Sequence, residues 1–235
     1  MSELGKRCFL GKKNKKSFVN WPPGLNQMPQ MRWRKSFLLL LFTKDSLAFS
    51  FCLAVMMTGC TSPDPAYYNL QPVPGSVVSL PRMVVEVRRP GLAGYLDRSD
   101  IVLKSVDYRL NVNGQLRWGE PLGDMVGRVL AQNISQRLPG SSVFGEAGAI
   151  SADADTRLEV DVQRFDEDAS GRVNLVAEVV IERGQTHHPS ASFHVDVAAV
   201  PPGPGAAALV GTMSGLLGTL ADEIAANMKS VTSPS

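Results

Sequence analysis

Apolar residues recur along this chain at two periods, and the two periods divide it into strands and helices. Every second residue is apolar through Met83, Val85 and Val87 in residues 82–88 and through Leu158, Val160 and Val162 in residues 157–164. The same alternation runs through Val173, Leu175, Ala177, Val179 and Ile181 in residues 172–182, and through Phe193, Val195 and Val197 in residues 192–197. A period of two gathers side chains on one face of a half-buried strand. Tyr67-Tyr68-Asn69-Leu70, bounded by Pro72 and Pro74, is predicted as one further short strand. Steps of three and four link Leu122, Met125, Val126, Val129, Leu130, Ile134 and Leu138, and again Leu209, Val210, Met213, Leu216, Leu217, Leu220 and Ile224. These predict amphipathic helices over residues 121–138 and 206–228.

The punctuation between these runs sets their connections. Pro90-Gly91 breaks the chain after the first alternating run, and Pro139-Gly140 ends the first helix, for which Pro121 suits the opening turn. Asn113-Gly114 predicts a two-residue type I′ turn joining strands 105–112 and 115–118, because that turn needs positive φ at both positions. A polar loop at 166–171 and a loop holding Gly184 and Pro189 join the later strands as an antiparallel meander. Residues 200–205, Val-Pro-Pro-Gly-Pro-Gly, end the sheet. Gly211, Gly215 and Gly218 each cost about 1 kcal/mol inside a helix, so they predict close approach of the last helix to the sheet or to another subunit. Together these patterns predict an α+β fold, an antiparallel sheet with two main helices packed on one face.

Residues 1–59 obey neither period. They hold ten Lys or Arg against Glu3 and Asp45, a balance of +8, followed by an apolar run ending Leu53-Ala54-Val55-Met56-Met57-Thr58-Gly59-Cys60. That order resembles a bacterial lipoprotein signal, in which a peptidase cuts before the cysteine and the thiol carries lipid. A retained membrane helix over 37–57 is the rival, but Lys44 and Asp45 sit inside it at about 2.5–3.5 kcal/mol each. A cleaved signal fits better, with translation starting at Met28 or Met31. The expected organisation is therefore a signal region over 1–59, a lipidated cysteine and tether over 60–66, and one α+β domain over 67–235. Thr61 stands where an aspartate would resemble an inner-membrane retention signal, so the resemblance implies outer-membrane sorting, with the domain facing the periplasm.

Removing the leader changes the charge of the chain. Ten of its 24 Lys and Arg and two of its 22 Asp and Glu lie before Cys60, leaving 14 against 20, a balance of −6. An acidic domain without a basic cluster is a poor binder of phosphate backbones, which excludes nucleic acid. Cys8 and Cys52 fall in the leader, so Cys60 is the sole thiol of the mature chain and acylation accounts for it.

Candidate chemistry is sparse. Asp153, Asp155, Asp161, Asp166, Glu167 and Asp168 lack the turn glycine and closing glutamate of a calcium loop and read as solvated turn residues. His187-His188 and His194 are too few and too adjacent to suggest a metal centre. No nucleophile elbow and no phosphate-cradling glycine loop is present, so the expectation is a non-enzyme without cofactor or metal.

Four segments in order carry a family resemblance: Tyr67-Tyr68-Asn69-Leu70, Val84-Val85-Glu86-Val87, Tyr95-Leu96-Asp97-Arg98-Ser99-Asp100-Ile101-Val102 and Trp118-Gly119-Glu120-Pro121-Leu122. With Cys60 before them, they resemble the ABC-type transport auxiliary lipoprotein (PqiC-like) family, departing from it in Ser99 where the family often has proline. The resemblance implies an outer-membrane lipoprotein serving intermembrane lipid transport with an inner-membrane component and a periplasm-spanning MCE tube. It further implies a homo-oligomeric ring docked on that tube. By the same analogy Tyr95 and Leu96 lie in a loop facing a neighbour or partner, and Trp118 in the strand leading to the first helix, where core packing is the favoured alternative. A second functional reading is an outer-membrane lipoprotein regulating a periplasmic enzyme such as a cell-wall synthase. A third is direct lipid binding under the last helix.

Overall fold

The computed structural model describes residues 63–150, 152–184 and 189–232. Among these residues nine strands and two helices follow in the order β1 (Ala66–Tyr68), β2 (Val84–Val87), β3 (Gly91–Leu92), β4 (Asp100–Val106), β5 (Arg109–Trp118), α1 (Leu122–Arg137), β6 (Ser142–Gly145), β7 (Thr156–Glu167), β8 (Val173–Arg183), β9 (Pro189–Ala199) and α2 (Ala206–Thr232). The leader, Cys60 and the pair His187-His188 lie outside the described residues.

β7 is the spine of the sheet. One of its edges pairs along its full length with β8, and β8 pairs with β9, all antiparallel, as the meander predicted. Its other edge is shared by three short strands running parallel to it: β2 against Thr156–Leu158, β3 against Asp161 and Val162, and β4 at Glu167. From there the sheet forks, through β2 to β6 and through β4 to β5 and β1. The sheet is therefore mixed rather than antiparallel throughout, because β1 to β4 are too widely separated along the chain for period-two patterning to reveal their partners. Of Pro90-Gly91, expected only as a break, Gly91 is itself the first of the two residues of β3.

The alternation of β7 and β8 sets one face of the core. Leu158, Val160 and Val162 pair with Ile181, Val179 and Ala177, and all six are buried. Both helices cover this face, α1 over β2 and β6, α2 over β8 and β9, and they touch each other. Their buried stripes are the ones predicted, from Leu122 to Ile134 and from Leu209 to Met228. Each aliphatic side chain so enclosed contributes about 1.5–3 kcal/mol. The opposite face is wet and charged, with Arg157 Nε donating to Glu86 at 2.9 Å and His194 paired with Glu178 at 2.7 Å. Among the described residues, no helix is long and apolar enough to cross a membrane.

One predicted turn is corrected. The β4–β5 hairpin turns at Asp107 and Tyr108, with φ of 50° and 62°, and not at Asn113-Gly114. A turn at Asn113-Gly114 would leave only residues 115–118 as its second strand. The observed register pairs β4 from Asp100 to Val106, with two shifts, and buries Ile101 and Val102. Asn113-Gly114 falls instead in an irregularity of β5, where the Asn113 side chain accepts a hydrogen bond from the Gln115 amide at 2.9 Å. Long-range burial thus outweighs local turn preference.

The glycines of α2 are also corrected in part. A Cβ on Gly211 or Gly215 would meet open space, whereas one on Gly218 would lie 3.2 Å from the Val73 Cβ. Of the three, only Gly218 marks a close approach within the chain, and the approaching segment is the stretch around Val73, not the sheet.

Candidate functional site

The segment after β1 crosses both helices without forming a helix or strand of its own. Its backbone amides therefore need side-chain acceptors, and the helices supply them. Leu70 N donates to Met125 Sδ at 3.1 Å, Gln71 N to Ser214 Oγ at 3.1 Å, and Val73 N to Asn133 Oδ1 at 2.8 Å. Val78 N donates to the Arg137 carbonyl at 2.8 Å, where α1 ends.

Arg137 fastens this strap. Its side chain is 1% exposed, and its Nε donates to Asp222 of α2 at 2.6 Å. Nη1 donates to the carbonyls of Val73 and Asn133 at 3.2 and 3.0 Å, and Nη2 to that of Gly218 at 2.9 Å. A buried cation is tolerated only when paired and saturated with acceptors, and this one is served by the strap and both helices. Gly75 lies against the guanidinium so closely that any Cβ there would collide with it. Sequence reasoning missed this node. The available signal was Asn133 and Arg137, a polar pair at helical spacing inside an otherwise apolar stripe.

The three predicted contact residues fall in different surroundings. Leu96 and Trp118 lie in the core, and Trp118 takes its register from Tyr68 of β1. Tyr95 is half-buried and its hydroxyl donates to Asp166 Oδ2 at 3.0 Å, while Arg164 Nε donates to the other oxygen at 2.8 Å. Burial, together with the Asp166 charge and hydrogen bond, pushes the Tyr95 hydroxyl up to about 12, so it stays protonated and acts as a donor. This cluster ties the loop after β3 to the end of β7; it does not assemble a nucleophile.

Of the carboxylates singled out in the sequence, Asp155, Asp166 and Asp168 serve the fold, and Asp166 is buried in β7 instead of solvated in a turn. Asp168 closes the β7–β8 turn by accepting from the Ser170 hydroxyl and amide at 2.6 and 2.8 Å, the Arg172 amide at 3.1 Å and Asn174 Nδ2 at 3.0 Å. Those hydrogen bonds, led by Ser170 and Asn174, hold its carboxyl far below the usual range. Asp155 Oδ2 accepts from the Val84 amide at 2.8 Å. Among the described residues, no three His, Cys, Asp or Glu side chains converge as a metal site. A cavity of about 380 Å³ lies between α1 and the chain following β6, with Val143, Phe144 and Ile150 on its apolar side. Its mouth is framed by ion pairs of Arg89 with Asp124 and of Arg128 with Glu120.

A forked, open sheet with two helices on one face, bound to its own N-terminal segment, is a fold already seen in solved structures. A crystal structure of an uncharacterised protein aligns with a TM-score of 0.59 at 18% identity, covering 71% of this chain and 99% of that one. A Xanthomonas campestris protein of the DUF330 family aligns with a TM-score of 0.54 at 19% identity, covering 70% of this chain and 99% of its own. No curated protein matches. The family model described as the ABC-type transport auxiliary lipoprotein component matches residues 68–225. The chain belongs to that family, and it is an auxiliary lipoprotein of the cell envelope associated with an ABC-type transport system.

Proposed function

We propose that this chain is an outer-membrane lipoprotein, acylated at Cys60, that serves intermembrane lipid transport by protein contacts and without catalysis of its own. The observation that carries the reading is Thr58-Gly59-Cys60 at the end of a basic, then apolar leader, in a chain whose family is an auxiliary lipoprotein of ABC-type transport. Its partners are a periplasm-spanning MCE tube and an inner-membrane transport component, and a homo-oligomeric ring is the form in which it docks. The strap supports an adaptor role: the segment nearest the anchor is bonded to both helices through Arg137 instead of hanging free from the domain.

Labelling cells with radioactive palmitate tests the anchor. The wild-type chain takes up label and fractionates with the outer membrane, and Cys60→Ala abolishes both; an unlabelled wild-type chain with its leader intact refutes the reading. Affinity capture of the lipidated protein tests the partners. Recovery of the MCE tube protein is expected, and its absence, together with an intact outer-membrane barrier after gene deletion, refutes the transport role.

A further inference from the structure

The register of the sheet gives one end of the domain a common direction. Lys104, Glu167, Val173 and Ala199 are successive partners across β4, β7, β8 and β9, with Asn111 of β5 beside Lys104, so five strands reach one line. Beyond that line lie the β4–β5 tip, the turn closed by Asp168, and residues 200–205. Six large apolar side chains are exposed among the described residues, and three of them, Tyr108, Leu110 and Val200, belong to this end. Tyr108 is fully exposed, Leu110 is 43% exposed and Val200 is 70% exposed.

The N-terminal segment leaves the domain toward the same end. β1 runs parallel to β5, with Tyr67 opposite Arg117, and Arg117 lies opposite Asp100 of β4. Going backward from Tyr67 toward Cys60 therefore means travelling toward the β4–β5 tip. The seven residues back to Cys60 span at most about 25 Å when fully extended. From Asp100 the six residues to Val106 advance about 20 Å, and the two-residue turn projects a little further. The tether and the hairpin are commensurate in length. A tether of that reach, entered from the side of the tip, leaves the tip able to touch the bilayer that holds the anchor.

From this geometry we infer that the β4–β5 tip is a second membrane contact, and that Tyr108 and Leu110 rest in the headgroup region of the bilayer holding the anchor. This rests on the proposed acylation of Cys60. The occupant is a phospholipid surface because a tether of this length keeps the domain within reach of the bilayer and β1 enters the domain from the side of the tip. A tyrosine ring suits the interface, apolar in body and polar at its hydroxyl, and Arg109 between the two apolar side chains can extend to phosphates. The backbone agrees. Tyr108 holds a left-handed conformation that an L-residue with a bulky side chain avoids, and a glycine would relieve it. Val200, in its proline-rich loop at the same end, forms the flank of the contact.

The test uses the full-length lipidated chain purified from membranes and reconstituted in vesicles of phosphatidylethanolamine and phosphatidylglycerol. Tyr108→Trp reports from the tip, against the buried Trp118 that is otherwise the sole tryptophan after Cys60. In vesicles whose acyl chains are brominated, tip emission should shift to the blue and be quenched. Tyr67→Trp, at mid-sheet, should keep both its wavelength and its intensity. A chain that carries the palmitate label and floats with vesicles, yet shows an unquenched tip, overturns this inference and leaves the anchor intact. An unlabelled chain that does not float overturns both. A photo-crosslinker at position 108 that captures a protein in cells, with the tip unquenched, makes the hairpin a protein-docking arm and likewise overturns the membrane contact.

Discussion

The two long hairpins of this sheet are closed in opposite ways. β7–β8 is paired over its whole length, with one irregularity near Val162, and its turn is held by a carboxylate accepting four hydrogen bonds. β4–β5 shifts register twice, and its turn has a tyrosine in the left-handed region with its ring in solvent. The first hairpin has its inward side chains buried in the core and satisfies its turn from within. The second leaves its far half outside the core, and its tip carries a residue that stability alone would not select. Burial specifies one turn; the other is free to be specified by whatever lies beyond the sheet end.

Substitutions separate the two. Phe165→Ala removes a fully buried ring from β7 and should cost about 3–5 kcal/mol in urea unfolding. No single truncation at the β4–β5 tip should approach that. Asp168→Ala should lower Tm by less, and the difference should depend on pH. The Asp168 carboxyl is depressed in the folded state, so its contribution is present above the ordinary carboxylate value of about 3.9 and is lost as pH falls below it. The wild-type and variant melting curves should therefore converge in strong acid. A difference that persists there would mean the turn is held by something other than this ionised group.

At the other hairpin, Tyr108→Gly should hold stability or raise it by about 1 kcal/mol, because relief of the left-handed strain exceeds the added freedom of the unfolded chain. A clear loss would make the tip part of the folding core and erase the contrast between the hairpins. The smallest effect is expected at Gly114→Ala, within about 0.5 kcal/mol, since no atom lies within 4 Å of a Cβ there and its φ is not in the left-handed region. If Asn113-Gly114 were the turn, the same change would be destabilising, so thermal unfolding of this variant checks the register.

What the sequence made legible follows from how each contact is encoded. The stripes of α1 and α2 and the alternation of β7 and β8 were readable because each element carries its own period and packs against a single layer. β3 and β6 were not expected, as two and four residues are too short to show a period, and they exist through parallel pairing with distant strands. Asn113-Gly114 misled because a dipeptide reports local turn preference, while Ile101 and Val102 decided the register from elsewhere. In the candidate site, Trp118 fell in the core, which was the favoured reading of its ring. The Leu96 side chain is buried as well, within the loop that the family resemblance turns toward a neighbour. Arg137 was missed because an arginine on a helix reads as solvated unless its acceptors are known, and those are the Asp222 carboxylate and backbone carbonyls on three separate segments.

The direction of β1 has a mechanical consequence. A pull arriving from the N-terminal side runs along the strand axis, so the β1–β5 hydrogen bonds are loaded together in shear instead of opening one after another as a peeled edge would. Force that passes β1 next meets the strap, whose bonds to Met125, Ser214 and Asn133 and to the Arg137 guanidinium divide it between the two helices. If the chain is suspended from Cys60 as proposed, such an assembly suits it to bearing tension from that side.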